Sequence, residues 1–206
     1  GENNIASGNF SQAIGLFNQS TAYSSFAIGN NTLADGYTTF AIGSANTADS
    51  TADADNWSLA NRAFVIGNGT DDNVSSTLER SDAMTVLFDG TTTIAGDLNI
   101  NSDMRLKANI ISLGSTLSKL LQIDGKTYTM KKDANNKKKI GLLAQDIEKV
   151  FPELVSEAND IKSVNYQGLV PVLINALKEQ QLEIDRLKAQ EKRLERLEQI
   201  ISKMEK

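Results

Sequence analysis

Small and apolar residues recur through the first half of the chain with a fixed phase. The triplet Ala-Ile-Gly occurs at Ala13-Ile14-Gly15, Ala27-Ile28-Gly29 and Ala41-Ile42-Gly43, 14 residues apart each time. Weaker copies lie halfway between, at Ala6-Ser7-Gly8, Ala34-Asp35-Gly36 and Ala48-Asp49-Ser50, so the underlying period is seven; Ser20-Thr21-Ala22 is the copy that fails. A helical heptad needs two apolar seam positions and does not tolerate this much glycine, serine, threonine and asparagine. The pattern predicts a solenoid of short stacked strands. Small residues pack inward, glycine supplies backbone freedom at the turns, and alanine lets neighbouring coils approach closely. A 14-residue coil cannot enclose a thick core, so Ile14, Ile28, Ile42, Phe26 and Phe40 require several chains side by side. A polar linker would not keep this phase.

After an interruption around Trp57, Ala63-Phe64-Val65-Ile66-Gly67 resumes a related pattern. Ala83 to Gly90 and Thr93 to Ile100 read as strands with a glycine turn between them. Beyond residue 100 the periodicity changes. Ser102 is placed to cap a helix with apolar positions at Leu106, Ile110, Leu113, Leu117 and Leu120-Leu121. Lys126 to Met130 and Lys139 to Leu142 read as a hairpin, residues 143–150 as a short amphipathic helix stopped at Pro152, and Asn165-Tyr166 as the entry to a helix running from about Leu169 to the end. That helix carries heptads: Val170, Leu177 and Ile184 on one seam position, Leu173, Gln180 and Leu187 on the other. After Leu187 the seam shifts by three residues to Leu194, Leu197, Ile201 and Met204. The shift keeps Glu191 out of the core and overwinds the coil locally. Gln180 in the seam sets register and chain number.

Composition divides the chain at the same place. The 206 residues carry a net charge of −5. Residues 1–100 hold 11 acids against Arg62 and Arg80 (−9), and residues 101–206 hold 15 acids against 19 bases (+4). Every lysine lies in the second half, and ten of the 14 glycines in the first. The expected organisation is a mostly β fibre segment over residues 1–100, followed by an α+β domain over 101–206 with a coiled coil from about 169. The chain has no histidine and no cysteine. Disulfide frameworks, zinc fingers, thiol proteases, imidazole metal sites and Ser-His-Asp triads are thereby excluded, and no cofactor is expected. No run of about 18 apolar residues spans a membrane. No signal peptide opens the chain, and Gly1 in place of a start methionine reads as a fragment or processed product.

The candidate chemistry sits at the boundary, in Ser102-Asp103-Met104-Arg105-Leu106-Lys107. A serine at the start of a helix lies beside unsatisfied N–H groups able to stabilise an oxyanion. With histidine absent, the nearby Lys107 is the obvious base for Ser102. A lysine serves as a base only when burial or a neighbouring cation lowers its usual pKa of about 10.4. Lys107 is five residues on, off the face that Ser102 would occupy in a straight helix. A bend, or a serine from a neighbouring chain, must close that gap. Attack of Ser102 on the carbonyl of Asn101 is the simplest chemistry, an N-to-O acyl shift. Taken alone, a Ser-Asp pair before a helix is only a cap.

The repeats over about residues 4–50 resemble the head repeats of trimeric autotransporter adhesins, which implies three chains forming left-handed parallel β-rolls. The second half resembles the self-cleaving intramolecular chaperone domain (the peptidase S74 family) of phage tail spikes, tail fibres and endosialidases, also found in the myelin regulatory factor. The blocks that carry this resemblance are Ser102-Asp103 with Arg105-Leu106-Lys107, Ile140 to Ile147, Phe151-Pro152-Glu153-Leu154-Val155, and Val164-Asn165-Tyr166 before a long helix. The resemblance implies a homotrimer that assists folding of the preceding β-fibre and severs itself once in cis. Ser102 and Lys107 would form the dyad, with Asp103 and Arg105 in support. It implies a cut at Ser102–Asp103, whereas the simpler chemistry points to Asn101–Ser102.

Three other readings follow from particular features. The cluster Lys131, Lys132, Lys137, Lys138 and Lys139 is a solvated hairpin tip, since no aromatic interleaving supports a nucleic-acid patch. The last helix has a mixed polar face, unlike a basic membrane-surface helix. No paired carboxylates indicate a glycan-cleaving enzyme. The expected setting is a virion tail fibre or spike, or a bacterial surface, with a host receptor as a further partner. The competing expectation is a structural adhesin whose second half is a permanent trimerisation cap and never cuts.

Overall fold

The computed structural model describes residues 1–71, 77–133 and 136–204. They fall into two compact units, Gly1–Ser102 and Asp103–Lys206.

The first unit is built almost entirely of strands. β1 (Ile5–Ala6), β3 (Gln19–Ser20) and β5 (Leu33–Ala34) form one parallel sheet. β2 (Gln12–Leu16), β4 (Phe26–Asn30), β6 (Phe40–Ser44) and β7 (Arg62–Asn68) form a second, also parallel. β7 then pairs antiparallel with β10 (Asp82–Leu87), and β10 with β11 (Thr92–Ile94). A small pair, β8 (Thr70–Asp71) with β9 (Leu78–Glu79), stands apart. The pairing register reproduces the sequence repeat: Ile14 lies opposite Ile28, Ile28 opposite Ile42, and Ile42 opposite Ile66. One coil is therefore 14 residues, and each coil contributes one strand to each sheet. Phe40 and Phe64 are 24 residues apart yet still in register. The extra ten residues leave the stack between β6 and β7, around Trp57.

Within each strand the alternation of faces decides what is inside. Ala27, Ala41 and Val65 are fully buried and, with Ala34, form the core of the coil. The isoleucines face the other way: Ile14 is 52% exposed, and Ile28 and Ile42 are half-buried. The outward face also carries a row of rings, Phe26 tilted against Phe40 at 6.0 Å and Phe40 stacked on Phe64 at 5.8 Å between centroids. Coils this close leave no room for larger inward side chains. A Cβ on Gly29 would lie 1.9 Å from the carbonyl oxygen of Gly43.

The glycines do not make the corners, contrary to expectation. Gly15, Gly29 and Gly43 lie inside strands. The left-handed residues are Asn3, Phe10, Phe17, Ser24, Asn31, Thr38 and Ala45, one every seven residues. Left-handed backbone costs an L-residue about 1–2 kcal/mol, offset from Phe17 onward by a bond from each such amide to the preceding coil. Thr38 donates to the Tyr23 carbonyl at 2.8 Å, Asn31 to Leu16 and Ala45 to Asn30, each at 2.9 Å. The copy that fails the sequence pattern, Ser20, takes the alanine register between Ala6 and Ala34 and is fully buried. Its hydroxyl is bonded to that of Ser25 at 2.7 Å, so the inward polar atom has a partner. Both arginines are used within the unit. Arg62 donates to the Thr47 carbonyl at 2.7 Å and faces Asp49 and Asp82 at 3.6 Å. Arg80 donates to the carbonyls of Asn31 and Asn46 at 2.8 and 2.9 Å. The segment expected as a strand over Thr93 to Ile100 pairs at Thr93 and Ile94, Ala95 N–H still donates to the Ala83 carbonyl at 3.0 Å, and residues 96–100 lie outside any strand.

The second unit mixes short elements around one long helix. Its helices are α1 (Leu117–Leu120), α2 (Ala144–Val150) and α3 (Leu169–Met204, 36 residues). Two antiparallel hairpins accompany them, β12 (Lys126–Tyr128) with β13 (Lys139–Gly141) and β14 (Val155–Ala158) with β15 (Ile161–Val164). The β14–β15 hairpin turns at Asn159 and Asp160, both with φ above +50°, the two-residue turn that suits hairpin twist. The core is Ile147, Phe151 and Val172, flanked by Leu120, Leu142, Leu154 and Val164. α3 buries Leu169, Val172 and Ala176 against it. Its heptad positions face elsewhere and are exposed, among them Val170, Leu177, Leu187, Leu194 and Ile201.

Candidate functional site

The helix expected from Ser102 does not form. Residues Met104–Leu106 make a single 3-10 turn. Its cap is Asp103, whose carboxylate accepts the Arg105 backbone N–H at 2.8 Å. Arg105 also grips that carboxylate through its guanidinium, at 2.6 and 3.0 Å. The Arg105 side chain, then its backbone N–H, holds the Asp103 carboxyl below the usual carboxylate range, and the pairing raises Arg105 in turn. Two of the N–H groups at the start of the turn are engaged: Arg105 N–H by the Asp103 side chain, and Leu106 N–H by the Asp103 carbonyl at 3.1 Å. After the turn the chain runs extended from Lys107, and Asn109 adopts a left-handed φ of 52°. The physical reason is packing. Leu106 and Ile110 find no apolar surface in their own unit, and a short helix has little stability without one.

Asn101, Ser102, Asp103, Arg105 and Lys107 are all exposed. Ser102 closes the first unit, and Lys107 lies in the second. Asp103 and Arg105 are joined by direct hydrogen bonds.

Downstream, the fold gathers the sequence blocks. Leu142 N–H donates to the Tyr166 hydroxyl at 3.0 Å, joining the Ile140–Ile147 block to Val164-Asn165-Tyr166. Gly141 lies so close to the Tyr166 hydroxyl that a Cβ there would stand 2.9 Å from it. Asn165 N–H donates to the Leu154 carbonyl at 2.8 Å, and the Asn165 side chain caps the turn that leads into α3. Lys162 pairs with Glu148 at 2.6 Å, fastening β15 to α2; the Glu148 hydrogen bond is the main cause that raises the Lys162 ammonium pKa.

One cluster escaped sequence reasoning. Glu179, on α3, accepts hydrogen bonds from the Ser115 hydroxyl at 2.6 Å and the Thr116 and Leu117 N–H groups at 2.5 and 3.3 Å. It therefore caps α1 from another helix. The Ser115 hydroxyl, and next the Thr116 N–H, lower the Glu179 carboxyl pKa. The buried Thr116 hydroxyl donates to the Val172 carbonyl at 2.9 Å, and Asn175 donates to the Gly114 carbonyl at 3.2 Å. Ser115-Thr116 ahead of Leu117 is a legible start signal, whereas a carboxylate 63 residues on leaves no local trace. No group of His, Cys, Asp and Glu among the described residues could hold a metal ion.

A strand-built repeat unit is thus followed by a small α+β unit with a long helix whose apolar heptad positions are exposed. Residues 102–156, from the last residue of the first unit into the second, match the peptidase S74 family model, described as the chaperone of endosialidase. The chain is similar to long tail fiber protein Gp37 of Salmonella phage S16, with 33% identity over 117 residues, 52% of this chain and 16% of that protein. It is also similar to the Gp37 long tail fiber protein of Enterobacteria phage M1, with 34% identity over 101 residues, 45% of this chain and 40% of that protein. The chain thus spans well under half of these relatives.

Proposed function

We propose that this chain is part of a phage tail fibre or spike whose second unit is an intramolecular chaperone for the repeat unit before it. In this reading three chains associate through the α3 seam, and the outward Phe and Ile ladders of the coils pack between chains. Aligning three separate chains before the repeat can form carries a large loop-closure and contact-order cost, and a terminal trimer sets the register in advance. Ser102 then attacks a neighbouring carbonyl. In the simpler form, its Oγ forms an ester with the Asn101 carbonyl carbon as the Asn101–Ser102 C–N bond breaks. Lys107 takes the hydroxyl proton and returns it to the departing amine. Water hydrolyses the ester, leaving a carboxylate on Asn101 and an amino group on Ser102. Loss of the assembly module makes the fibre's stability kinetic, since the separated strands cannot easily re-align.

The observation that carries the reading is the family match beginning at Ser102. The dyad and the cut are tested together on a denaturing gel with mass spectrometry, and the trimer by sedimentation equilibrium of the native protein. The expected result is two fragments of about half the chain each, lost in Ser102→Ala and Lys107→Ala. The fragment mass identifies the bond, Asn101–Ser102 or Ser102–Asp103. A full-length wild type, indistinguishable from both variants, would leave a non-cleaving trimeric adhesin as the reading.

A further inference from the structure

We infer that residues 104–113 of one chain pack into an apolar groove on the second unit of another copy of the same chain. The inference rests on the self-association proposed above and adds a specific contact to it.

Besides the α3 seam, two apolar surfaces among the described residues of this unit lack a cover. The first is the segment after the 3-10 turn, where Met104, Leu106, Ile110 and Ile111 are 72%, 71%, 61% and 88% exposed. Four large apolar side chains within eight residues are thus left facing water, as at an interaction site. The second is a groove of about 240 Å³ lined by Leu120, Ile123, Gly125, Leu142, Leu169 and Leu173. It is smaller than the roughly 300 Å³ at which small-molecule sites begin, and a size that takes aliphatic side chains.

The occupant follows from Leu173. This residue lines the groove and is also a seam position of α3, 45% exposed beside Val170 and Leu177. A second copy held along the seam therefore lies at the edge of the groove. The segment leaves its own unit from a fixed point on the same helix, because Asn175 holds the Gly114 carbonyl and Glu179 holds Ser115 and Thr116. Each chain thus presents the groove beside the seam, while the segment starts from the opposite side of α3 and, if extended, its ten residues reach roughly 30 Å, enough to pass round the helix to a neighbouring chain. Docking in trans covers both at once and ties the residues just after Ser102 to the assembled state.

The cysteine-free chain allows a direct test by single-cysteine cross-linking in a Ser102→Ala background. Ile110→Cys and Ile111→Cys report the segment. Gly125→Cys reports the groove, where an added Cβ meets nothing within 4 Å. Differently tagged chains are refolded together and oxidised mildly, and products are read on a non-reducing gel. The expected result is a mixed disulfide between a segment cysteine and Gly125→Cys as the main product, absent when Lys138→Cys at the hairpin tip replaces the groove partner. Ile184→Cys, paired with itself, reports the seam independently. If the seam cross-links while neither segment cysteine reaches Gly125→Cys, the docking is wrong and the self-association stands. A double-cysteine chain that cross-links only within itself also overturns docking in trans. No seam cross-link, with a monomer in sedimentation, removes both readings.

Discussion

The Asn18 side-chain amide donates to the Asn4 side-chain oxygen at 2.9 Å, one full coil earlier in the stack. The same amide donates to the Ile14 and Gly29 carbonyls, and its oxygen accepts from the Thr32 N–H at 3.0 Å and hydroxyl at 2.6 Å. Asn4, Asn18, Thr32 and Asn46 are spaced by 14 residues, and bonds join the first three in sequence. Asn46 instead holds both backbone groups of Leu33, at 2.7 and 2.9 Å. The polar ladder does inside the coil what a hydrophobic core does in a wider fold.

Removing one rung should be costly. Asn18→Leu leaves the Thr32 N–H and hydroxyl and the Gly29 carbonyl buried without this partner. At about 1–3 kcal/mol for each unsatisfied group, the loss is at least about 3 kcal/mol. For a unit of this size that lowers the melting temperature by more than about 10 °C, read by far-UV circular dichroism. An unchanged melting curve would remove the ladder's structural role.

The corners offer the opposite effect. Thr38 is β-branched and holds a φ of +55°, a conformation in which asparagine is enriched and β-branched residues are strained. Thr38→Asn keeps the N–H bond to Tyr23 and should stabilise the repeat unit by about 0.5–1 kcal/mol. Gly29→Ala, by contrast, places a Cβ against the Gly43 carbonyl and should prevent stacking, read as loss of soluble folded product.

Glu179 makes the second unit sensitive to acid. Its carboxyl is held below the usual range by the Ser115 hydroxyl and the Thr116 N–H, so the folded state prefers the ionised form. Its stabilisation is complete above the ordinary glutamate value of about 4.3 and is lost as the pH falls through the lower folded value. Glu179→Gln should melt earlier than wild type at neutral pH, and the gap should narrow on acidification. A constant gap from neutral to low pH would assign the effect to packing instead.

Gln180 occupies a seam position on α3 with apolar neighbours Leu177 and Ile184 along the same stripe. A polar residue at such a position specifies register and chain number at a cost in stability. Gln180→Leu should raise the melting temperature of the assembled helix and broaden the distribution of chain numbers in sedimentation equilibrium. A single sharp species, unchanged from wild type, would remove the specifying role.

Much of the architecture was legible because it is periodic. Strand spacing, the return of register at Phe64 and the heptad helix from Leu169 all depend on repeats that survive in one dimension. Elements placed by distant partners were not. The 3-10 turn at Met104 stands where a helix was expected, since helix formation there required apolar surface that this unit does not provide to Leu106 and Ile110. The β14–β15 hairpin is short and polar, and its Asn159-Asp160 turn was its one clear signal.

By itself, the sequence determined the 14-residue coil, the mostly stranded first half, the long last helix with its apolar stripe and the absence of histidine and cysteine chemistry. Composition and period set these locally. The tertiary structure decided which face of each coil turns inward, that left-handed corners fall to residues other than glycine, and that Glu179 rather than a neighbour caps α1. Each of those depends on what a residue meets across the stack or across the unit, and such contacts carry no period.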